Sequence, residues 1–567
     1  MKRFFYSAIL GLLSAAGFYA GSPGGERPVY VYLYARVTDH VNLDVSEDRL
    51  RRILPMIERY RKMHPEEHVS ATILFSGSVS QAFAERNSQT HILDFVQDFV
   101  RRGVIEPGYD GSDEPTYKNR PLIDLAKTKT AEERWLTRRA TAEAFLTEAR
   151  DPLTGMPQPG KTGGLKKMQE VFGQAACITG LTLALPVPDI SGPMAEVGVD
   201  AETVHELVRY NTSAIMFGVL DGNPVHAPLY QHWSAGLSED LSPAPDTPPE
   251  LYWQENVLRS SESSGLDNRL FRASGGAEAF QKVTGKLDRS KIRIIHVELA
   301  NPRNYLAESF RQSPVAFAYA HPDHPALPPE ARRASADVDA AYAKEEALLK
   351  FLADDYFPAN RGGRFVSSAD LDHMAGPSTG FSVPVVALRS ELGDMLKTWG
   401  SGTTPPKYLR VDGHYLSLAD LFQVMTDALA ELNRTAKLPQ FVRVTAVYGP
   451  VETSTDKGPG QGEVTVGSVA HVCAGLTARL HDTAWSPNPK NSIPFHVVVD
   501  GIDLNSAQFL RLMAEALANP SPEAKLRVKE TEMFWGRNAT FYRTRSLRDE
   551  GATWTYKPAV VEVAAVK

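Results

Sequence analysis

The chain has 567 residues, 43% of them hydrophobic and 23% charged, with a formal net charge of −7 and only two cysteines. This globular composition leaves room for about two to four domains with real cores, and makes disorder the wrong default. The acidic balance, with no Lys/Arg run longer than a pair, argues against a nucleic-acid partner, and Cys177 and Cys473 are too few and too distant for a disulfide framework or a CxxC metal site.

Residues 1–25 predict an export signal. Lys2 and Arg3 supply a short positive region, Phe4 to Tyr19 an apolar stretch, and Ser14, Ala15, Ala16 and Ala20 the small residues a signal peptidase needs. The polar segment Gly21 to Arg27 follows at once, and the rival reading is an uncleaved N-terminal anchor. On either reading the protein is expected to be exported, periplasmic or secreted, with no integral membrane span beyond the signal segment.

From Pro28 to Gly376, strand-like and helix-like segments alternate. Val29 to Val37 (VYVYLYARV) reads as a buried strand; Leu50, Ile53, Leu54, Ile57 and Tyr60 then recur at helical spacing. Val69 to Phe75 is a second strand, Ile92 to Val100 an amphipathic helix ended by Gly103, and Val104–Ile105 opens a third strand. Further strand candidates are Ala175 to Leu185, Ala214 to Leu220, Ile292 to Leu299, Val315 to Ala320 and Phe365 to Val366. Strands alternating with helices over about 350 residues predict an α/β fold, a (β/α) barrel spanning 26–376. Residues 221–285, rich in Pro, Ser, Gly and aromatics, read as an insertion over one barrel face. Trp233, Tyr252 and Trp253 would either stack on a sugar or pack the loop's own small core.

Beyond Gly376 an internal repeat appears. PPKYLRVDGHYLSLADLFQVMTDAL, Pro405 to Leu429, matches IPFHVVVDGIDLNSAQFLRLMAEAL, Ile493 to Leu517, at an offset of 88 residues. Each copy reads as a strand, an Asp-Gly turn and a helix with a Leu/Val/Met or Phe/Leu/Met face, so 377–450 and 451–567 are expected to be two small modules, the second carrying a C-terminal tail. With the upstream helices Ala387 to Trp399 and Gly467 to His481, the unit resembles the pseudomurein-binding repeat. That resemblance implies docking on a cell-wall polysaccharide. The residues themselves leave open a packing or dimerisation module with no sugar affinity.

Barrel enzymes place their chemistry where strands end. The first strand runs into Thr38-Asp39-His40, and the third into Glu106 through Asp110, Asp113 and Glu114 to Pro115. A later strand carries His296 and Glu298, and another ends in His321-Pro322-Asp323-His324. On a strand, His296 and Glu298 share one face, so they either line the site or form a buried pair.

These positions, with Ala71-Thr72-Ile73-Leu74, Gly77, Glu106, Gly108, Pro115 and the closing Gly363-Arg364-Phe365-Val366 to Leu371, resemble the polysaccharide deacetylase (NodB-like) family. The resemblance implies a metal-dependent hydrolase acting on acetylated envelope or extracellular polysaccharide. It implies Asp39 as catalytic base, His321 as general acid, and His40, Asp110 and Glu114 as ligands of a divalent metal, Zn²⁺ or Mn²⁺. Asp113 would then support His40 from behind. The family's two metal histidines fall on Asp110 and Glu114 here, which means either a changed metal or a barrel that has lost catalysis and serves as a glycan-binding envelope protein. Two carboxylates such as Asp39 with Glu298 or Asp110 would alternatively suit a glycosidase, and Asp39 alone could be only a helix or turn cap.

Overall fold

A computed structural model describes residues 26–110, 148–150, 157–162, 164–172, 180–182, 230–231, 251–254, 257–260, 270–310, 326–403, 405–450, 460–482, 491–533 and 554–559. Asp113, Glu114 and His321, the export signal, and the strand candidates Ala214 to Leu220 and Val315 to Ala320 lie outside these residues.

The fold is mixed α/β, built on one curled, largely parallel sheet. In chain order the strands are β1 (Val29–Val37), β2 (Ala71–Phe75), β3 (Ile105–Asp110), a separate hairpin of β4 (Glu148–Arg150) and β5 (Pro157–Thr162), β6 (Gly180–Thr182), β7 (Tyr230–Gln231), β8 (Leu251–Gln254), β9 (Val257–Ser260), β10 (Leu270–Arg272), β11 (Arg293–Glu298) and β12 (Phe365–Val366). The helices of this half are α1 (Leu43–Met63), α2 (Gly77–Thr90), α3 (Ile92–Arg101), α4 (Gly164–Phe172), α5 (Gly276–Thr284), α6 (Ser335–Phe351) and α7 (Ser368–Ala375).

Strand order is β10-β11-β1-β2-β3-β6-β7-β9-β8, with β12 beside the lower part of β1. Neighbours are parallel from β10 to β9, and β8 runs antiparallel to its neighbour β9. Strands β7 to β10 come from the stretch expected to be an insertion. Their short lengths and polar flanks hide the strand period, and sheet pairing overrides that weak local signal.

β1 is central and both its faces are covered, which is why nine residues in a row are apolar or aromatic apart from Arg36. Val29, Val31, Leu33, Ala35 and Val37 join Leu50, Ile53, Leu54 and Ile57 of α1 in the core between sheet and helices. Tyr30, Tyr32 and Tyr34 point the other way, into a second core with Leu74, Trp253, Leu258, Ile294, Leu371 and Met374. Helix α7 therefore plugs the inner face of the sheet. Its N-cap Ser367 and Asp370 form a capping box, and its first residue donates its N–H to Glu106 Oε2 at 3.0 Å. Thr72 Oγ1 lies 3.2 Å from that same oxygen and 3.0 Å from Ser368 Oγ, and Tyr32 Oη lies 3.1 Å from Ser368 Oγ. By register Thr72 and Glu106 lie in one row with Tyr34 and Glu298, so this polar knot sits on the same inner face as Glu298.

The C-terminal half is a true structural duplication. The first copy runs β13 (Ser382–Pro384), α8 (Val385–Trp399), β14 (Tyr408–Val411), β15 (His414–Ser417), α9 (Leu418–Thr435) and β16 (Phe441–Arg443). The second repeats it as β17 (Glu463–Thr465), α10 (Val466–Leu480), β18 (His496–Val499), β19 (Ile502–Asn505), α11 (Ser506–Ala518) and β20 (Lys525–Arg527). In each copy the outer strands pair antiparallel and the inner two form a hairpin. The hairpin turns, Asp412-Gly413 and Asp500-Gly501, have positive φ at both central residues (49° and 84°, 50° and 78°), the backbone that Asp-Gly accommodates in tight two-residue hairpins.

The copies pack reciprocally: α9 lies on α10 and α8 on α11, giving a common core with an internal pseudo-two-fold. Phe422 and Phe509, one from each copy, meet there with ring centroids 5.8 Å apart.

The C-terminal tail joins the core of the duplicated modules and the main sheet. Trp554 is fully buried and donates Nε1–H to the Met533 carbonyl at 3.0 Å. Strand β21 (Lys557–Pro558) then pairs antiparallel with β8, completing the eleven strands of the main sheet. Adjacent residues of β8 divide between the halves: Trp253 enters the inner core of the sheet, and Tyr252 enters the core of the duplicated modules beside Tyr556, 5.4 Å away.

Candidate active site

The parallel strands deliver their C-terminal ends to one rim, and the expected residues Asp39, His40, Asp110 and Glu298 all fall there. Asp39 is nearly enclosed, at 7% exposure. Its Oδ1 accepts the N–H groups of Val41 (2.9 Å) and Asn42 (2.8 Å), and its Oδ2 accepts Asn42 Nδ2–H at 2.9 Å. Ser46 of α1 donates to the Asp39 carbonyl at 2.8 Å. The carboxylate expected as a base thus organises the turn that starts α1, as an Asx cap does. Any role as a base would be shared with this structural role in the turn.

His40 follows, half-buried. Asp110 ends β3, with β2 lying between β1 and β3, so the two strand ends stand about two strand spacings, roughly 10 Å, apart. The Asp110 side chain is not among those described. Among the described residues no three of His, Cys, Asp and Glu converge so as to hold a metal ion. Of the expected ligands only the His40 side chain is described, and one imidazole alone is not a metal site.

The register places His296 opposite Tyr32 and Glu298 opposite Tyr34 on β1, and both on the inner face with the tyrosines. His296 is fully enclosed, its ring edge-on to Tyr32 at 5.4 Å between centroids. Glu298, two residues further and the last residue of β11, is nearly enclosed like Asp39, at 7% exposure. Asn301 Nδ2–H donates to Glu298 Oε2 at 2.5 Å, and Arg272, its register partner on β10, brings Nε to 3.8 Å of the same oxygen. The shared face therefore holds one histidine and one carboxylate.

Sequence reading missed Arg272, Asn301, Asn42 and the residues behind them. Asn301 had a signal: it precedes Pro302 at a strand end, a turn pattern in which the Asn side chain bonds its neighbours. Asn42 ties the first strand's loop to a distant segment, its Oδ1 accepting Leu327 N–H at 2.8 Å, which no local pattern reveals. Glu345 of α6 is a second carboxylate near the rim, wholly buried behind β11. Burial raises its pKa to about 7, and the charge of Glu298 adds to the rise.

No protein-family model and no curated protein matches the chain. Among solved structures, a 4-alpha-glucanotransferase from Thermococcus litoralis aligns over 66% of this chain and 45% of its own, at 10% identity with a TM-score of 0.29. The alignment thus takes in less than half of that enzyme.

Proposed function

We propose that the curled sheet closes as a (β/α) barrel of the glycoside hydrolase/deacetylase type, and that the chain is an exported carbohydrate hydrolase working at the C-terminal rim of β1, β3 and β11. The observation that carries this reading is Glu298: a carboxylate on the last residue of β11, opposite Tyr34 of β1 and held by Asn301 and Arg272. A fixed rim carboxylate is what proton transfer on a sugar substrate requires. The duplicated C-terminal modules then dock the enzyme on an envelope or extracellular polysaccharide.

Deacetylation is the leading reaction. It calls for a divalent metal, Zn²⁺ or Mn²⁺, at His40, Asp110 and Glu114, which when bound would supply a polarised water. The chain's own groups would be Asp39 as proton acceptor and His321 as donor to the departing amine or alcohol, with Glu298 orienting the sugar. A second reading, cleavage of a glycosidic bond by Glu298 with a second carboxylate such as Asp39 or Asp110, is favoured by the way Glu298 is held.

One assay separates them. Full-length protein is incubated with acetylated glucosamine oligomers while acetate and reducing ends are both measured. Acetate release abolished by Asp39→Asn, with stoichiometric metal lost from Asp110→Ala/Glu114→Ala, supports deacetylation. Reducing ends abolished by Glu298→Gln support glycosidic cleavage. Binding without either product would overturn the hydrolase reading and leave a glycan-docking envelope protein.

A further inference from the structure

The turn that follows β11 is gripped from the helix layer by buried polar groups. Ala300 has φ +49°, in the left-handed region where a residue with a Cβ is strained. Its N–H donates to Glu345 Oε2 at 2.9 Å, and its carbonyl accepts Arg49 Nε–H at 2.6 Å. The other oxygen of Glu345 accepts Asn304 Nδ2–H at 2.9 Å. Glu345 comes from α6 and Arg49 from α1, and both are buried. Arg49 also donates to the Arg36 carbonyl of β1, and Leu299 N–H donates to the Tyr34 carbonyl at 2.8 Å, so the turn is locked to the neighbouring strand as well. The residue after Ala300 is Asn301, whose side chain holds Glu298.

A buried carboxylic acid is costly to place, and a left-handed alanine is costly to keep. Here each accounts for the other. Glu345 supplies the acceptor that makes the left-handed N–H favourable, and the turn supplies the donors that a buried carboxyl needs.

We propose that Glu345 is the positioning residue of the rim site: by clamping the Ala300 N–H it holds the left-handed turn that aims Asn301 at Glu298. The inference rests on the reading of Glu298 as the carboxylate that meets the substrate. Asn301 donates to one oxygen of Glu298 and so selects one orientation of the carboxylate; Glu345 acts only through that contact. Placing the clamp behind the sheet keeps it out of the substrate's path.

The test needs no substrate. In full-length protein with ¹³C-labelled glutamate side chains, the Glu298 carboxyl signal is assigned by its loss in Glu298→Gln, and hydrogen exchange is followed at the Ala300 amide. Glu345→Ala should speed exchange at Ala300 at least about tenfold while leaving the mid-strand Ile295 amide unchanged. It should also move the Glu298 carboxyl signal away from its wild-type chemical shift, because the Asn301 bond to it weakens. Adding Ala300→Gly, which adopts the left-handed turn without a clamp, should bring the Glu298 signal back towards wild type. Glu345→Gln, which keeps an acceptor, should stay within about threefold of wild-type exchange. Glu345→Asp, one methylene short, gives the same comparison if Glu345→Ala fails to fold. An unchanged Glu298 signal in both Glu345→Ala and Glu345→Asp, or a change that Ala300→Gly does not reverse, overturns the proposal. A wild type that releases neither acetate nor reducing ends overturns the functional reading alone.

Discussion

Glu345 shows how a single residue can work against stability for the sake of geometry. Burial raises its pKa from an ordinary 4.5 to about 7, so the folded state resists its ionisation. Below about pH 4.5 it is protonated in folded and unfolded chains alike and costs nothing electrostatically. Between 4.5 and 7 the unfolded chain ionises first, and stability falls as pH rises, by up to about 3 kcal/mol. Glu345→Gln should flatten that decline, gaining on wild type between pH 5 and pH 8 in urea denaturation; equal slopes would mean that Glu345 is not the group responsible. Glu106 has the same sense of shift for the same cause, burial outweighing the donors from Ser368 and Thr72. Asp39 is the opposite kind of residue, a carboxylate whose oxygens take two backbone N–H groups and an amide. Asp39→Ala should cost about 1–3 kcal/mol by leaving the buried N–H donors of the turn unpaired, measured by thermal unfolding, whatever its chemical role.

At the scale of elements, the duplicated modules give an internal control, because corresponding positions carry different side chains on the same backbone. Ser417 caps α9 with Asp420 as its box partner, whereas Asn505 caps α11 with Gln508. Removing either cap, Ser417→Ala or Asn505→Ala, should cost about 1 kcal/mol, and the two losses should add to within about 0.5 kcal/mol if the caps act locally. The Asn505 loss should be the larger, since its Nδ2–H also holds the Thr531 carbonyl at 2.9 Å. A larger loss at Ser417 would show that this extra bond contributes nothing. These elements were legible in the chain: the Asp-Gly turns, the helix faces and the offset of 88 residues all lie in local patterns. The strands β7 to β10 were not, because segments of two to four residues carry too little period to be read before they are paired.

For the whole molecule, the decisive contact is made by the last described segment. Lys557 is buried and places its ammonium 2.7 Å from Asp420 Oδ2, with the Ser378 carbonyl as a further acceptor, while its backbone forms β21 on the edge of the main sheet. The pair joins the tail to the first module at the point where β21 meets the sheet. Breaking it by Lys557→Met leaves a buried carboxylate and should cost about 3–5 kcal/mol, whereas Lys557→Met with Asp420→Asn, which keeps an acceptor for the Ser417 N–H, should recover most of the loss. Chemical denaturation of the two variants checks this, and a double variant as unstable as the single one would show that packing, not charge, sets the cost. Because Tyr556 and Tyr252 share the module core, a chain ending before Trp554 should also expose the β8 edge and be cleaved there faster by protease.

By itself, the sequence determined the alternation of strand and helix, the buried first strand, the duplicated modules with their Asp-Gly turns, and that Asp39 and His40 follow the first strand while Asp110 ends the third. All of these rest on neighbours within a few residues or on a self-comparison of the chain. Only the tertiary structure decided that Asp39 is bonded into a turn, that His296 faces Tyr32 and Glu298 faces Tyr34 on the inner face, that Glu345 clamps a left-handed alanine, and that the tail returns to the main sheet. Those outcomes depend on contacts between residues far apart in sequence, 45 positions from Ala300 to Glu345 and 137 from Asp420 to Lys557, and local pattern carries no information about which distant group will arrive.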